Sequence, residues 1–192
     1  LHFINGGEKE NINVNIPGKK QIENTQLALS VLDNLNGYNI PNSAITEGLN
    51  MVKWHGRNQM LQENPIVIFD VAHNVDGLRC FLDYYRSLNI REKSTLVMAL
   101  YLRKRIHEIV PMLEDSFQRI ICTETEGRNP MPAEILGGHF SLGHSVEIIK
   151  DPLVAIRKGL DGLSSDGGMA ILGTHCLGPA VNELFKISFD NL

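Results

Sequence analysis

Apolar and polar positions divide the chain into two unequal parts. From residue 66 onward, short apolar runs alternate with amphipathic stretches. The runs fall at Ile66–Asp70, 95–100, 119–123, Ser145–Ile148 and 169–173. Most of the intervals carry the helical period: 78–88, 106–113 with Ile106, Ile109, Val110 and Leu113, and 153–163, which Asp151-Pro152 opens. Short continuous apolar runs suit strands buried on both faces, and strands alternating with helices specify a parallel sheet covered on both sides. The expected architecture is α/β: a Rossmann-like, mostly parallel sheet with helices on both faces. In such a sheet the loops after the strands share one edge. Asp70 with His73, residues 103–105, residues 123–128 and Gly173-Thr174-His175 are expected to converge there.

The earlier part reads differently. Residues 11–16 alternate strictly, with Ile12, Val14 and Ile16 on one side and asparagines on the other, the pattern of a half-buried strand. Pro17-Gly18 turns the chain into a helix over 22–35, whose Leu27, Val31 and Leu35 recur every four residues and which Asn36-Gly37 stops. Pro41-Asn42-Ser43 opens a second helix with Ile45, Leu49 and Val52 on one face, capped by Asn42 or Ser43. Strand, helix and helix make too little core for a domain. Residues 1–55 are therefore expected to be the tail of a domain whose body lies upstream, and 56–192 to form a domain of their own.

Composition narrows the class. At 192 residues, 43% hydrophobic, 21% charged and a net charge of −4, the chain is an ordinary globular protein, neither a disordered tail nor an electrostatic nucleic-acid binder. No apolar run approaches membrane-spanning length, and no exposed apolar stripe demands a partner. Cys80, Cys122 and Cys176 are widely spaced with no Cys-x-x-Cys pair, which suits a reduced cytosol. The first residues are neither an initiator Met nor a signal peptide, as expected of a fragment.

The candidate chemistry gathers at Asp70-Val-Ala-His73-Asn74, where a buried strand turns into a helix. The Asp70 carboxylate could accept ribose hydroxyls or bias a metal site, His73 could donate or accept, and the helix start at Asn74 favours anions. The same residues serve equally well as caps and turn formers. Arg57, in Trp54-His55-Gly56-Arg57, could fork onto phosphate oxygens, or be a surface arginine beside a Trp54 that plugs the core. Arg103-Lys104-Arg105 suits an anionic ligand or a solvated helix start; Thr174 offers a hydroxyl or merely a turn. No G-x-x-x-x-G-K-[ST] loop and no G-x-G-x-x-G is present, so any nucleotide site must be shared. Asp70-x-x-His73 has no second cluster at ligand spacing, and no metal site is expected on this chain.

Taken together, these pieces resemble the folylpolyglutamate synthase / dihydrofolate synthase group of the Mur ligase superfamily. Gly18-Lys-Lys-Gln21-Ile-Glu-Asn24 through Leu29 is similar to the family's G-x-H-Q-x-x-N-x-x-x-A-x, Trp54-His-Gly-Arg57 to W-P-G-R, and Asp70-Val-Ala-His73-Asn74 to D-G-A-H-N-P. Thr123 to Arg128 and Gly173-Thr174 resemble T-x-x-x-x-R and G-S more loosely. Lys20 stands where the family has His, His55 and Val75 where it has Pro, Thr174 where it has Ser, and Arg103-Lys104-Arg105 where D-K-D is usual.

The resemblance implies the C-terminal part of an ADP-forming ligase. ATP would phosphorylate a folate or dihydropteroate carboxylate, and the amino group of L-glutamate would attack the acyl phosphate, with Mg2+ held mainly by an upstream ATPase domain of the same protein. Asn24 would hydrogen-bond adenine, Arg57 would reach the ATP phosphates and Asp70 the ribose. His73, as the catalytic residue, and Thr174 would lie near the incoming glutamate. A cytoplasmic monomer is expected, inert as this piece alone. Two other readings stay open: a non-catalytic binding or regulatory module of the same fold, and a ligase acting on a cell-wall precursor.

Overall fold

The computed structural model describes residues 2–5, 8–11, 14–35, 37–88, 90, 94–102, 105–127 and 129–187, with backbone alone for 2–5 and 8–11. The chain forms two compact units, 1–54 and 55–192.

In the first unit, β1 (His2–Asn5) and β2 (Glu8–Asn11) pair as an antiparallel hairpin, followed by α1 (Lys19–Asp33) and α2 (Asn42–Met51). The strand expected over 11–16 is not found: β2 ends at Asn11, and residues 14–16 leave it as bend and coil before Pro17, while Ile12 lies outside the described residues. Helix α1 begins three residues earlier than its apolar pattern suggested. Its buried face is also different. Leu29 (3% exposed) and Thr25 point inward, and Leu29 packs with Ile45 of α2, Leu32, Ile40 and Leu49. The expected stripe is open: Leu27, Val31 and Leu35 are 67%, 56% and 41% exposed. The four-residue spacing was real, yet the wider apolar surface of α1 holds two stripes and only one meets α2. An exposed apolar stripe is therefore present after all. Pro41, not Asn42 or Ser43, occupies the cap position of α2, its fixed φ of −68° suiting the entry, and it makes no side-chain cap bond. Trp54 is half exposed rather than a core plug.

The second unit is built on a six-stranded sheet: β3 (Gln59–Glu63), β4 (Ile66–Asp70), β5 (Ser94–Met98), β6 (Arg119–Cys122), β7 (Ser145–Ile148) and β8 (Gly168–Leu172), in the spatial order β3-β4-β8-β5-β6-β7. All neighbours are parallel except the edge pair β3·β4. The five apolar runs are the five parallel strands, and β5 and β8 are buried along their whole length. Strand β3 was not expected, because Gln-Met-Leu-Gln-Glu carries few strand-favouring residues; pairing with β4 across a short turn imposes the conformation. Gly168 is the first residue of β8, packed so closely under Tyr85 and Ile90 that a Cβ would meet both.

Helices cover both faces. On one face, α3 (Val75–Arg86), α4 (Ile106–Glu114) and α5 (Ala133–Gly137) bury Leu78, Phe81, Leu82, Ile109, Leu113 and Leu136 against Ile68, Leu96, Met98, Ile120 and Leu172. On the other, α6 (Pro152–Leu160) and α7 (Gly178–Phe185) bury Ile156 and Val181 against Val67, Phe69, Val97, Ile121 and Ile171. The chain passes from β4 through α3 to β5 and leaves a gap that β8 fills last. The connections leaving β4 and β8 thus diverge to opposite faces, and between these two strands the sheet has its topological switch point, where open α/β sheets form their ligand crevice.

Candidate functional site

The site grows from the end of β4. Asp70 is 5% exposed, and both carboxylate oxygens are engaged: Oδ1 accepts the Ala72 N–H and Oδ2 the Asn58 N–H, each at 2.7 Å. Burial pushes its pKa above the usual carboxylate value, opposed by those two bonds and by the charges of Arg57 and His73. One side chain thus ties the turn after Trp54 to the strand end. The Val71 N–H reinforces the tie by donating to the Gly56 carbonyl at 3.0 Å. Gly56 has φ of +72°, and a Cβ there would meet Val71 Cγ1 at 2.6 Å, so the glycine of Trp-His-Gly-Arg is what lets Arg57 approach the sheet edge. Arg57 is half-buried, and its charge reaches both Asp70 and His175. His55 Nδ1 meets Gln59 Nε2 at 3.0 Å, and Gln59 Oε1 accepts the Gly56 N–H at 2.9 Å, closing the turn.

His73 is half-buried, and its Nδ1 lies 2.9 Å from the Val71 carbonyl. A carbonyl can only accept, so Nδ1 carries the proton and a neutral ring presents Nε2 as an acceptor. Asn74 caps α3 by accepting the Gly77 N–H at 2.7 Å. The capping reading of this motif therefore holds for Asn74, while Asp70 anchors backbone amides and His73 keeps one ring nitrogen as an acceptor.

From the neighbouring strand β8, Gly173 at φ +114° donates its N–H to the Asp70 carbonyl at 3.2 Å, and a Cβ on it would collide with the Ala99 carbonyl oxygen. Thr174 is 4% exposed and caps the following 3-10 turn, His175–Leu177, by accepting the Cys176 N–H at 3.2 Å. Its hydroxyl proton is not used in that bond. His175 lies within electrostatic reach of Arg57 and His73: partial burial and those two groups lower its pKa below 6.5. Its signal was positional, since the residue after Gly-Thr at the end of a central strand faces the crevice edge whatever its type.

Not every expected group joins the site. Arg105 is exposed and paired with Glu108 at the start of α4, the solvated helix start that the basic run allowed, while Arg103, Lys104 and Arg128 lie outside the described residues. Asn24 belongs to the first unit, on an exposed face of α1, with Nδ2 3.2 Å from Gln21 Oε1. Thr123 is buried and donates its hydroxyl to the Lys150 carbonyl at 2.9 Å, a structural use. Beyond Cys176, whose thiol lies 2.7 Å from Tyr101 Oη, a cavity of about 850 Å³ opens between the loops after β6 and β7 and helix α7, lined among others by Glu124, Thr125, Lys150 and Glu183. Among the described residues no group of three His, Cys, Asp or Glu could hold a metal ion, and no helix is long and apolar enough to cross a membrane.

Comparison with known proteins agrees with the fold. The family model for the Mur ligase, glutamate ligase domain, matches residues 56–174. The chain is 27% identical over 108 residues to the dihydrofolate synthase/folylpolyglutamate synthase of Bacillus subtilis, covering 55% of this chain and 25% of that protein. It is 28% identical over 126 residues to the Escherichia coli protein of the same name, covering 66% and 30%. Among solved structures, E. coli FolC in complex with DHPP and ADP superposes with a TM-score of 0.83 at 22% identity, covering 96% of this chain and 43% of that one. Folylpolyglutamate synthase of Mycobacterium tuberculosis complexed with ADP and AMPPCP gives 0.82 at 20% identity, covering 98% and 47%. The chain thus spans less than half the length of the relatives it matches. With the model covering most of the sheet and both loops of the switch point, this chain belongs to the Mur ligase family, of whose glutamate ligase domain residues 56–174 are a member.

Proposed function

We propose that the protein is an ATP-dependent, ADP-forming ligase that joins L-glutamate to the carboxylate of a folate or dihydropteroate through an acyl phosphate, and that this chain supplies its C-terminal part, inert alone. The observation that carries the reading is the side-by-side placement of Asp70-Val-Ala-His73 and Gly173-Thr174 at the switch point, with Arg57 tied to the same corner through Asp70. The names of the E. coli and B. subtilis relatives and the nucleotide-bound neighbours support it.

In this reading Arg57 grips ATP phosphates, and a guanidinium suits their paired oxygens. Asn24 reads adenine, its amide able to donate and accept. Asp70 fits its assigned ribose contact only in part. Its oxygens already hold two backbone amides, so its first task is to fix the Arg57 turn, and only its remaining lone pairs are open to a hydroxyl. His73, through Nε2, and Thr174, through its hydroxyl proton, orient the glutamate. An upstream ATPase domain of the same protein closes onto this edge and excludes water from the acyl phosphate. In this reading Mg2+ is held mainly by that upstream domain. The protein works as a cytoplasmic monomer in folate biosynthesis.

The test is a coupled ADP-release assay on the full-length gene product, with dihydropteroate plus glutamate and tetrahydrofolate plus glutamate, and Asp70→Ala alongside. Glutamate-dependent release with either pterin, lost in the variant, establishes the ligase and its branch. Silence with both pterins returns the protein to a cell-wall ligase or a non-catalytic module.

A further inference from the structure

We propose that His175 is a further catalytic residue of this site, the base that takes the proton from the attacking amine. The proposal rests on the ligase reading above.

Its geometry comes from the register of the sheet. Strands β4 and β8 are parallel neighbours with Asp70 opposite Leu172, so three residues beyond the same rung stand His73 on one strand's exit and His175 on the other's. The Gly173 N–H bonded to the Asp70 carbonyl keeps the two exits together as they leave the sheet. The Asn58 N–H on Asp70 Oδ2 and the Val71 N–H on the Gly56 carbonyl bring Arg57 to the same corner. Three groups able to carry positive charge therefore share one corner with Asp70, whose carboxylate is buried and engaged by backbone amides.

The two histidines are not equivalent. His73 spends Nδ1 on the Val71 carbonyl. His175 is exposed, and among the described residues neither of its ring nitrogens has a hydrogen-bond partner. The groups that face it are Arg57 from the turn before β3 and His73 from the exit of β4, while on its own turn the adjacent side chain is the Cys176 thiol, paired with the Tyr101 hydroxyl. Partial burial, with Arg57 and His73 nearby, holds its pKa below 6.5 and favours the neutral ring, which has a nitrogen lone pair available as a base.

The step balances without any added reagent. The glutamate nitrogen, entering as a free amine, attacks the acyl phosphate carbon; the C–N bond forms, and the C–O bond to phosphate breaks with its electron pair leaving on phosphate. An attacking amine carries two protons on nitrogen and the product amide one, and the difference goes to His175. Arg57 and His73 disfavour a lasting imidazolium, so the proton passes on to the departing phosphate trianion, which leaves as the hydrogen phosphate dianion.

The experiment uses the full-length protein and follows glutamate-dependent amide formation and ADP release from pH 5.5 to 8.5. His175→Gln is expected to lower kcat about 100-fold at pH 7.5, to leave the KM for ATP unchanged, and to abolish the acid limb that wild type shows below pH 6.5. Partial rescue of His175→Ala by added imidazole is the second expected result. A His175→Gln protein that folds and keeps both the wild-type rate and the acid limb overturns the proposal while leaving the ligase reading intact. Absence of amide formation by wild type removes the ligase reading, and the proposal with it.

Discussion

Asp70 shows how one residue can be both an expected ligand and a structural clasp. Replacing it with Ala leaves the Asn58 and Ala72 amides facing a site from which water is largely excluded, each without an acceptor. The expected cost is about 2 to 4 kcal/mol, since each orphaned buried donor costs about 1 to 3. Asp70→Asn keeps one acceptor and should cost less. Urea melts followed by circular dichroism rank the two, and equal stability of wild type and Asp70→Ala would mean that the clasp is not holding the turn. The pH dependence has a definite sign. The folded pKa of Asp70 is raised above 3.8, so the stability it lends is present below that value and declines as pH rises through the folded pKa. His175 runs the other way: with a folded pKa below 6.5, its contribution is present above 6.5 and lost as pH falls through the folded value. In a histidine-resolved NMR titration the His175 midpoint should lie below 6.5 and move upward in Arg57→Gln. A midpoint that does not move would exclude the Arg57 charge and leave burial and His73 as the causes.

At the scale of elements, the parallel strands were legible because β4, β5, β6 and β8 are buried on both faces, and an apolar run needs no partner to be recognised. Edge and short elements were not. Strand β3 takes its conformation from β4, and α5, with five residues, is too short to show a period. The site was legible as motifs, and the convergence of Gly173-Thr174-His175 with Asp70 and His73 followed from the parallel strands, but Asn58 as the second anchor of Asp70 was not legible, because it depends on how the turn before β3 folds onto the end of β4. Two substitutions separate local pattern from packing. Gly173→Ala must place a Cβ against the Ala99 carbonyl at a positive φ, so it should cost about 3 kcal/mol or more and loosen the Thr174 turn, a change that amide exchange at Cys176 would register. In α1, Leu29→Ala should cost about 2 kcal/mol, whereas Leu27→Ala should stay within about 0.5, the reverse of what the four-residue spacing alone suggests.

The molecule as a whole distributes its apolar core very unevenly. Both faces of the six-stranded sheet are covered within residues 55–192, where α3, α4 and α5 seal one side and α6 and α7 the other, and the antiparallel strand that finishes one edge belongs to the same unit. The described buried hydrophobics of residues 1–54 are Ile16, Leu29 and Ile45, the last two packed with three half-buried neighbours, far less than a domain needs to offset its chain entropy. Residues 55–192 expressed alone should therefore unfold in urea as one cooperative transition with near-native near-ultraviolet dichroism, and residues 1–54 alone should show no sigmoidal transition. The decisive observation is on the larger piece. If it binds a hydrophobic dye and melts gradually, the sheet depends on residues 1–54, and the corner formed by Arg57, Asp70, His73 and His175 cannot be a rigid platform to which the rest of a ligase docks.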